Sequence, residues 1–158
     1  MNPAGVKIRH IYISSGHNFR GHYGGPPGNH PLHEVEQVEC VAGKGLMGDR
    51  YFDEKPDYKG QVTFFAWEVH REMCAQFQRP DLPPWVYRRN IITEGVDLNT
   101  LIGKEFEVQG VRFYGTEECR PCSWMDEVVG PGAERALRGR GGLRAKVLTN
   151  GVLRRDGA

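Results

Sequence analysis

Two cysteines, Cys119 and Cys122, enclose Arg120 and Pro121 in the segment Glu118-Cys119-Arg120-Pro121-Cys122. Thiolate sulfur is both a nucleophile and a soft metal ligand, and a neighbouring cation favours that form. The spacing alone leaves several chemistries open: half of a zinc site, a thioredoxin-like dithiol, or two packed thiols with no task. Zinc asks for a second ligand pair, and the other cysteines, Cys40 and Cys74, stand singly in stretches whose patterning points to a core. A thioredoxin-like site asks for a strand-helix-strand setting, which the residues before Cys119 do not supply.

Four histidines, His17, His22, His30 and His33, crowd a glycine-rich stretch. Imidazoles can bind metal or carry protons, but these spacings match no standard ligand set, and surface polarity is the plainer account. Gly43-Lys44-Gly45-Leu46-Met47-Gly48 has the form of a dinucleotide fingerprint. No helical pattern follows it, so its glycines read as turn formers. Basic residues gather at Arg88-Arg89-Asn90 and again at Arg135, Arg138, Arg140, Arg144 and Lys146, the latter around Gly139, Gly141 and Gly142. Guanidinium forks beside bare backbone amides suit a phosphate or another oxyanion; otherwise they make a solvated face.

The elements that must position these groups belong to a chain of 158 residues, the size of one domain over residues 1–158. With 21 basic and 20 acidic residues the net charge is +1, so no global field attracts nucleic acid or an anionic membrane. Any anion site must be local. No run approaches the roughly 18 to 20 apolar residues that span a bilayer, and Met1 to His10 lacks the apolar core of a signal peptide. The expectation is a cytoplasmic protein whose four cysteines are reduced thiols, ligands or catalytic groups.

The 21 glycines and 10 prolines favour turns over long helices. Val6 to Ile13 reads as a strand whose alternation slips at His10-Ile11, and Ser14 to Leu32 as a long loop. Glu34 to Val41 alternates like a half-solvated strand, and Gln61 to Phe65 is a short one. Ala66, Val69, Met73, Cys74 and Phe77 recur at helical spacing. Lys104 to Gly115 is a hairpin with Gln109-Gly110 at its turn, and it runs straight into the cysteine segment. Asp126 to Arg138 predicts one short helix, interrupted or started at Pro131, and Arg144 to Leu148 a last strand. Short strands with one or two helices predict a mainly β protein, barrel-like or sandwich-like.

Taken in order, Gly48-Asp49-Arg50, Lys59-Gly60-Gln61-Val62-Thr63, Arg88 to Leu98, Leu101-Ile102-Gly103, Cys119 to Cys122 and Arg140-Gly141-Gly142-Leu143 resemble the MOSC domain, named for the C-terminal part of molybdenum cofactor sulfurases. The resemblance runs from about Val6 to Gly151 and is similar to the small stand-alone members. It implies a MOSC-type β-barrel and a molybdenum-pyranopterin cofactor. Cys122 would ligate molybdenum through sulfur or carry a persulfide, with Cys119 as a possible second thiol. Arg89, Asn90, Arg140 and Arg144 would lie around the pterin phosphate, while Asp49 and Arg50 would orient the pterin or shape its pocket.

The resemblance implies reduction of N-hydroxylated small molecules with an external electron donor. Alternatively it implies sulfur handling for the cofactor, beside a pyridoxal-phosphate-dependent cysteine desulfurase. Two further readings stay open: a non-enzymatic persulfide carrier, and a small zinc-binding interaction module built from Cys119, Cys122 and the loop histidines.

Overall fold

The computed structural model describes residues 5–15 and 32–156. Strand β1 (Lys7–Ile13) has a register irregularity between Ile8 and His10, just before the expected slip at His10-Ile11. The single strand expected over Glu34 to Val41 is divided. Its start is β2 (His33–Glu34), paired with β1, and its remainder is β3 (Gln37–Val41), which pairs in a different sheet. After β4 (Gly45–Leu46) come β5 (Val62–Ala66) and helix α1 (Trp67–Gln76).

Next is β6 (Ile91–Glu94), whose run of three apolar or β-branched residues after two arginines does not announce a strand in the sequence. The hairpin forms from β7 (Glu105–Val108) and β8 (Val111–Glu118). Its turn residues Gln109 and Gly110 both have positive φ, 52° and 83°, the signs a two-residue hairpin turn of the favoured twist needs. The helical stretch near Pro131 is interrupted, giving α2 (Trp124–Val128) and α3 (Ala133–Ala136), with Gly130 and Gly132 at positive φ between them. Strand β9 (Leu143–Val147) is not the last, because β10 (Gly151–Arg154) follows.

The mainly β class holds. Among the described residues, seven strands form one sheet in the order β2-β1-β6-β5-β9-β8-β7, and three form another in the order β10-β3-β4. Two connections tie the small sheet to both sides of the large one: Asp156 N to Ile8 O at 2.8 Å, and Gly43 N to Val147 O at 2.8 Å. The Asp156 carboxylate also accepts from Ile8 N at 2.6 Å. The result wraps like a barrel without a continuous ladder around it.

Strands β5 and β6 pair in parallel at the centre of the large sheet and are covered on both faces, which is why they read as unbroken apolar runs rather than alternating ones. Phe64 and Ile91 point into the core between the sheets, with Ile8, Val38, Cys40, Phe106, Phe113 and Leu153. Phe65 and Ile92 point the other way, into a second core with Met73, Tyr87, Met125 and Leu137 beneath the helices. Each such side chain, fully withdrawn from water, contributes about 1.5 to 3 kcal/mol. Met73 and Cys40 are completely buried, in line with their patterning, while Cys74 is half-buried. Among the described residues no helix is long and apolar enough to cross a membrane.

Candidate functional site

The cysteine segment leaves the sheet where β8 ends and is held from three directions. Cys119 N donates to Gly142 O at 2.8 Å, and Met125 N donates to Cys122 O at 3.0 Å as α2 begins. From below, the buried guanidinium of Arg89 reaches four carbonyls: Gly141 at 3.0 Å, Tyr87 at 3.0 Å, Cys119 at 3.3 Å and Arg120 at 3.4 Å. A planar five-donor fork can span such a set, whereas a single ammonium cannot. Gly141 lies so close that a Cβ there would sit 2.4 Å from Cys119 O and 2.8 Å from Pro121 Cδ. That position admits only glycine, because any larger residue would push the cysteine loop off its seat.

Cys119 and Cys122 line one cleft of about 460 Å³ together with Tyr51, Tyr58, Gly60, Thr63, Arg89, Glu117, Glu118, Arg120 and Arg144. Its volume falls in the range of small-molecule sites. Cys122 is exposed and Cys119 half-buried. The far wall is a column of alternating charge and aromatic ring. The Arg50 guanidinium lies 4.7 Å from the Tyr51 ring centre, Tyr51 and Tyr58 stack at 5.8 Å, and the Arg144 guanidinium lies 5.4 Å from Tyr58.

Cation-aromatic attraction of this kind contributes about 0.5 to 2 kcal/mol per contact. Arg144 also faces Glu117 at 3.5 Å, and its guanidinium occupies the space where a Gly60 side chain would stand. Glu118 accepts from Gly141 N at 3.2 Å. By contrast, among the described residues the Arg120 guanidinium and the Tyr58 hydroxyl have no hydrogen-bond partner.

Of the residues singled out in the sequence, Cys119, Cys122, Arg89 and Arg144 share the cleft. Asn90 is fully buried behind it: its Oδ1 accepts from Thr63 N and Thr63 Oγ1, and its Nδ2 donates to Tyr12 O. It joins β1, β5 and β6 rather than reaching a ligand. Asp49 and Arg50 form a buried ion pair at 3.0 Å. Arg50 also donates to Arg88 O, and Asp49 accepts from Ser14 N and Tyr51 N. Their place is behind Tyr51, at the base of the column.

Burial, and then repulsion from Arg50, lower the pKa of Arg88 to about 10. Arg140 is not with the others. It lines a separate cavity with Val69, Val96 and Leu98, and it pairs with Glu72 at 2.8 Å. Chain direction explains the split: the turn at Gly141-Gly142 sends Arg140 to one side of the strand end and Arg144 to the other.

His17, His22 and His30 lie outside the described residues, and His33 is exposed. Among the described residues no three histidine, cysteine or acidic side chains come together as a metal site. Gly60, Thr63, Glu118 and Arg120 stood in segments singled out in the sequence without an assigned ligand role, while Tyr51, Tyr58 and Glu117 are cleft residues that the sequence reading did not nominate. The signal available for them was the pair of tyrosines in the otherwise polar stretch between Asp49-Arg50 and Gly60.

The cleft thus places an exposed and a half-buried thiol beside three arginines, in a fold of two β-sheets. The sequence profile of the MOSC domain matches residues 34–157, and the chain belongs to that family. Solved structures agree on the fold. YuaD from Bacillus subtilis superposes with a TM-score of 0.70 at 18% identity, covering 94% of this chain and 91% of that one. YiiM from Geobacillus stearothermophilus gives 0.67 at 14%, covering 94% and 71%. YiiM from Escherichia coli gives 0.62 at 15%, covering 94% and 66%. At these identities the likeness speaks for the fold alone. No curated protein sequence matches the chain significantly.

Proposed function

We propose that this protein binds the molybdenum cofactor through the Cys122 thiolate and works in the reduction of N-hydroxylated compounds or in sulfur handling for the cofactor. The observation that carries this reading is the placement of an exposed Cys122 in the same cleft as Arg120 and Arg144. The residues present fit the group. A soft sulfur donor stands at the wall, the cleft is of ligand size, and Arg120 offers a guanidinium with no partner among the described residues to an anionic ligand.

When bound, the molybdenum-pyranopterin supplies the redox chemistry, and the protein supplies binding and orientation. Cys122 is the sulfur ligand. Arg144, fixed by Tyr58 and Glu117, and Arg120 hold negative charge at the opening. Arg89 keeps the cysteine loop in place through the carbonyls of Cys119 and Arg120. In this reading the chain is cytoplasmic and takes electrons from an external donor protein, or sulfur from a cysteine desulfurase that uses pyridoxal phosphate.

The test is metal and pterin analysis of protein purified from a host that makes the cofactor. Near-stoichiometric molybdenum and pterin in the wild type, both lost in Cys122→Ser, is the expected result; absence from the wild type overturns the proposal. A second reading, a persulfide carrier without metal, draws on the second thiol in the same cleft, Cys119. It predicts a reducible extra sulfur on Cys122 in protein that carries no pterin.

A further inference from the structure

Reading Cys122 as the reactive thiol, we infer that the cleft loads sulfur onto it directly from a small sulfane-sulfur oxyanion of the thiosulfate class, without a protein donor. Such a donor has two chemical ends. One is a sulfur that a thiolate can attack; the other is a sulfonate dianion that must be held while it leaves.

The cleft has a group for each. Cys122 is exposed within it, and the lining contains three arginines against two glutamates. Glu117 is turned to Lys59 at 3.8 Å and Arg144 at 3.5 Å, and Glu118 to the Gly141 amide at 3.2 Å. Both acids are thus engaged with groups of the chain. Arg89 is consumed by four carbonyls. That leaves the exposed Arg120, two positions from the thiol and with a guanidinium that has no partner among the described residues, as the cation for the sulfonate; it lines this cleft with Arg144 and Tyr58, and a neighbouring one with Glu134 and Arg138. In a chain whose net charge is only +1, an uncommitted guanidinium two residues from an exposed thiol supplies the local cation that an anion site needs.

The step balances without an added oxidant or reductant. The Cys122 thiolate attacks the outer sulfur of thiosulfate, a Cys122 S–S bond forms, and the S–S bond of the donor breaks. The electron pair of that broken bond leaves with the sulfonate as sulfite. Cys122 is left as a persulfide anion, and total charge is unchanged. Arg120 stabilises the departing oxyanion by a charge-assisted hydrogen bond, which is stronger there than in the ground state as charge collects on the leaving group.

Reduced full-length protein is incubated with sodium thiosulfate under nitrogen, and mass gain and released sulfite are followed together. Expected are one dithiothreitol-labile sulfur on Cys122 and one equivalent of sulfite per chain. Cys122→Ser should give neither. Arg120→Gln should load about tenfold more slowly while unfolding at the wild-type temperature. No loading of the wild type, sulfur on Cys119 instead, or Arg120→Gln loading at the wild-type rate would overturn the inference. Molybdenum and pterin content of the same variants reports on cofactor binding separately, so failure of sulfur loading leaves that reading standing and the reverse also holds.

Discussion

Arg89 Nε donates to the Gly141 carbonyl across 3.0 Å, tying the start of β6 to the turn on which the cysteine loop rests. Three further carbonyls depend on the same guanidinium. Arg89→Met leaves these buried acceptors unpaired and should lower the free energy of unfolding by about 3 kcal/mol. Arg89→Lys should recover only part of that loss, because an ammonium cannot serve all four positions. Urea unfolding followed by tryptophan fluorescence reads both, and an unchanged midpoint in Arg89→Met would refute the role given to this residue.

Asn90 offers a contrasting case of a buried amide with no charge. Its side chain holds Thr63 on β5 and Tyr12 on β1 together. Asn90→Ala should cost about 2 to 3 kcal/mol, while Asn90→Asp should cost at least as much, since a carboxylate cannot donate to Tyr12 O. Thermal unfolding of the two variants side by side checks the order.

The thiols should separate by reactivity. Burial pushes the Cys40 thiol up to about 12, so it stays protonated at any ordinary pH. Burial also raises Cys74. Iodoacetamide at pH 8 should label exposed Cys122 first and Cys119 more slowly, and Cys40 only after the chain unfolds. Peptide mapping by mass spectrometry gives the order directly, and early labelling of Cys40 would contradict the core described above.

Stability should fall on mild acidification through His70. Its ring accepts or donates to the Tyr87 hydroxyl at 2.8 Å in the second core, and burial lowers its pKa below the ordinary 6.5. Above 6.5 the ring is neutral in both folded and unfolded chains and contributes no pH dependence. As pH drops below 6.5 the unfolded chain takes up a proton that the folded one resists, and stability is lost until the depressed folded value is reached. His70→Gln should flatten the unfolding temperature between pH 7 and 5; an equally steep profile in the variant would exclude His70 as the source.

The hairpin and α1 were legible because their signals are local: a two-residue turn of the required type between alternating arms, and apolar residues at helical spacing. Strand β6 was not, because its identity depends on neighbours. Ile91 and Ile92 face two different cores, and a four-residue strand covered on both sides has no period to display. Strand β10, four residues from Gly151 to Arg154, has one fully buried side chain, Leu153, and so gives almost no pattern. For the site, the cysteine segment and Arg144 could be nominated from residue type and order. Tyr51 and Tyr58 join them only through the packing of the loop before β5 against β8 and β9, and Thr63 through the pairing of β5 with β9. Arg140 and Arg144 look alike in sequence, and only the turn at Gly141-Gly142 separates them into different cavities.

The pairing of β3 with β10 also sets a timetable. Cys40 finds its partner in Gly151, roughly 110 residues later. At ribosomal speeds of about 5 to 20 residues per second, β3 therefore waits on the order of ten seconds with one edge bare. During that interval only the two-residue strand β4 lies alongside it. Gln37 and Glu39 alternate with Val38 and Cys40 and point outward, placing polar and negatively charged groups on the face a passing chain would meet. That is the usual protection of an unpaired strand against aggregation, and it suits this strand during synthesis, before the finished fold covers its edge.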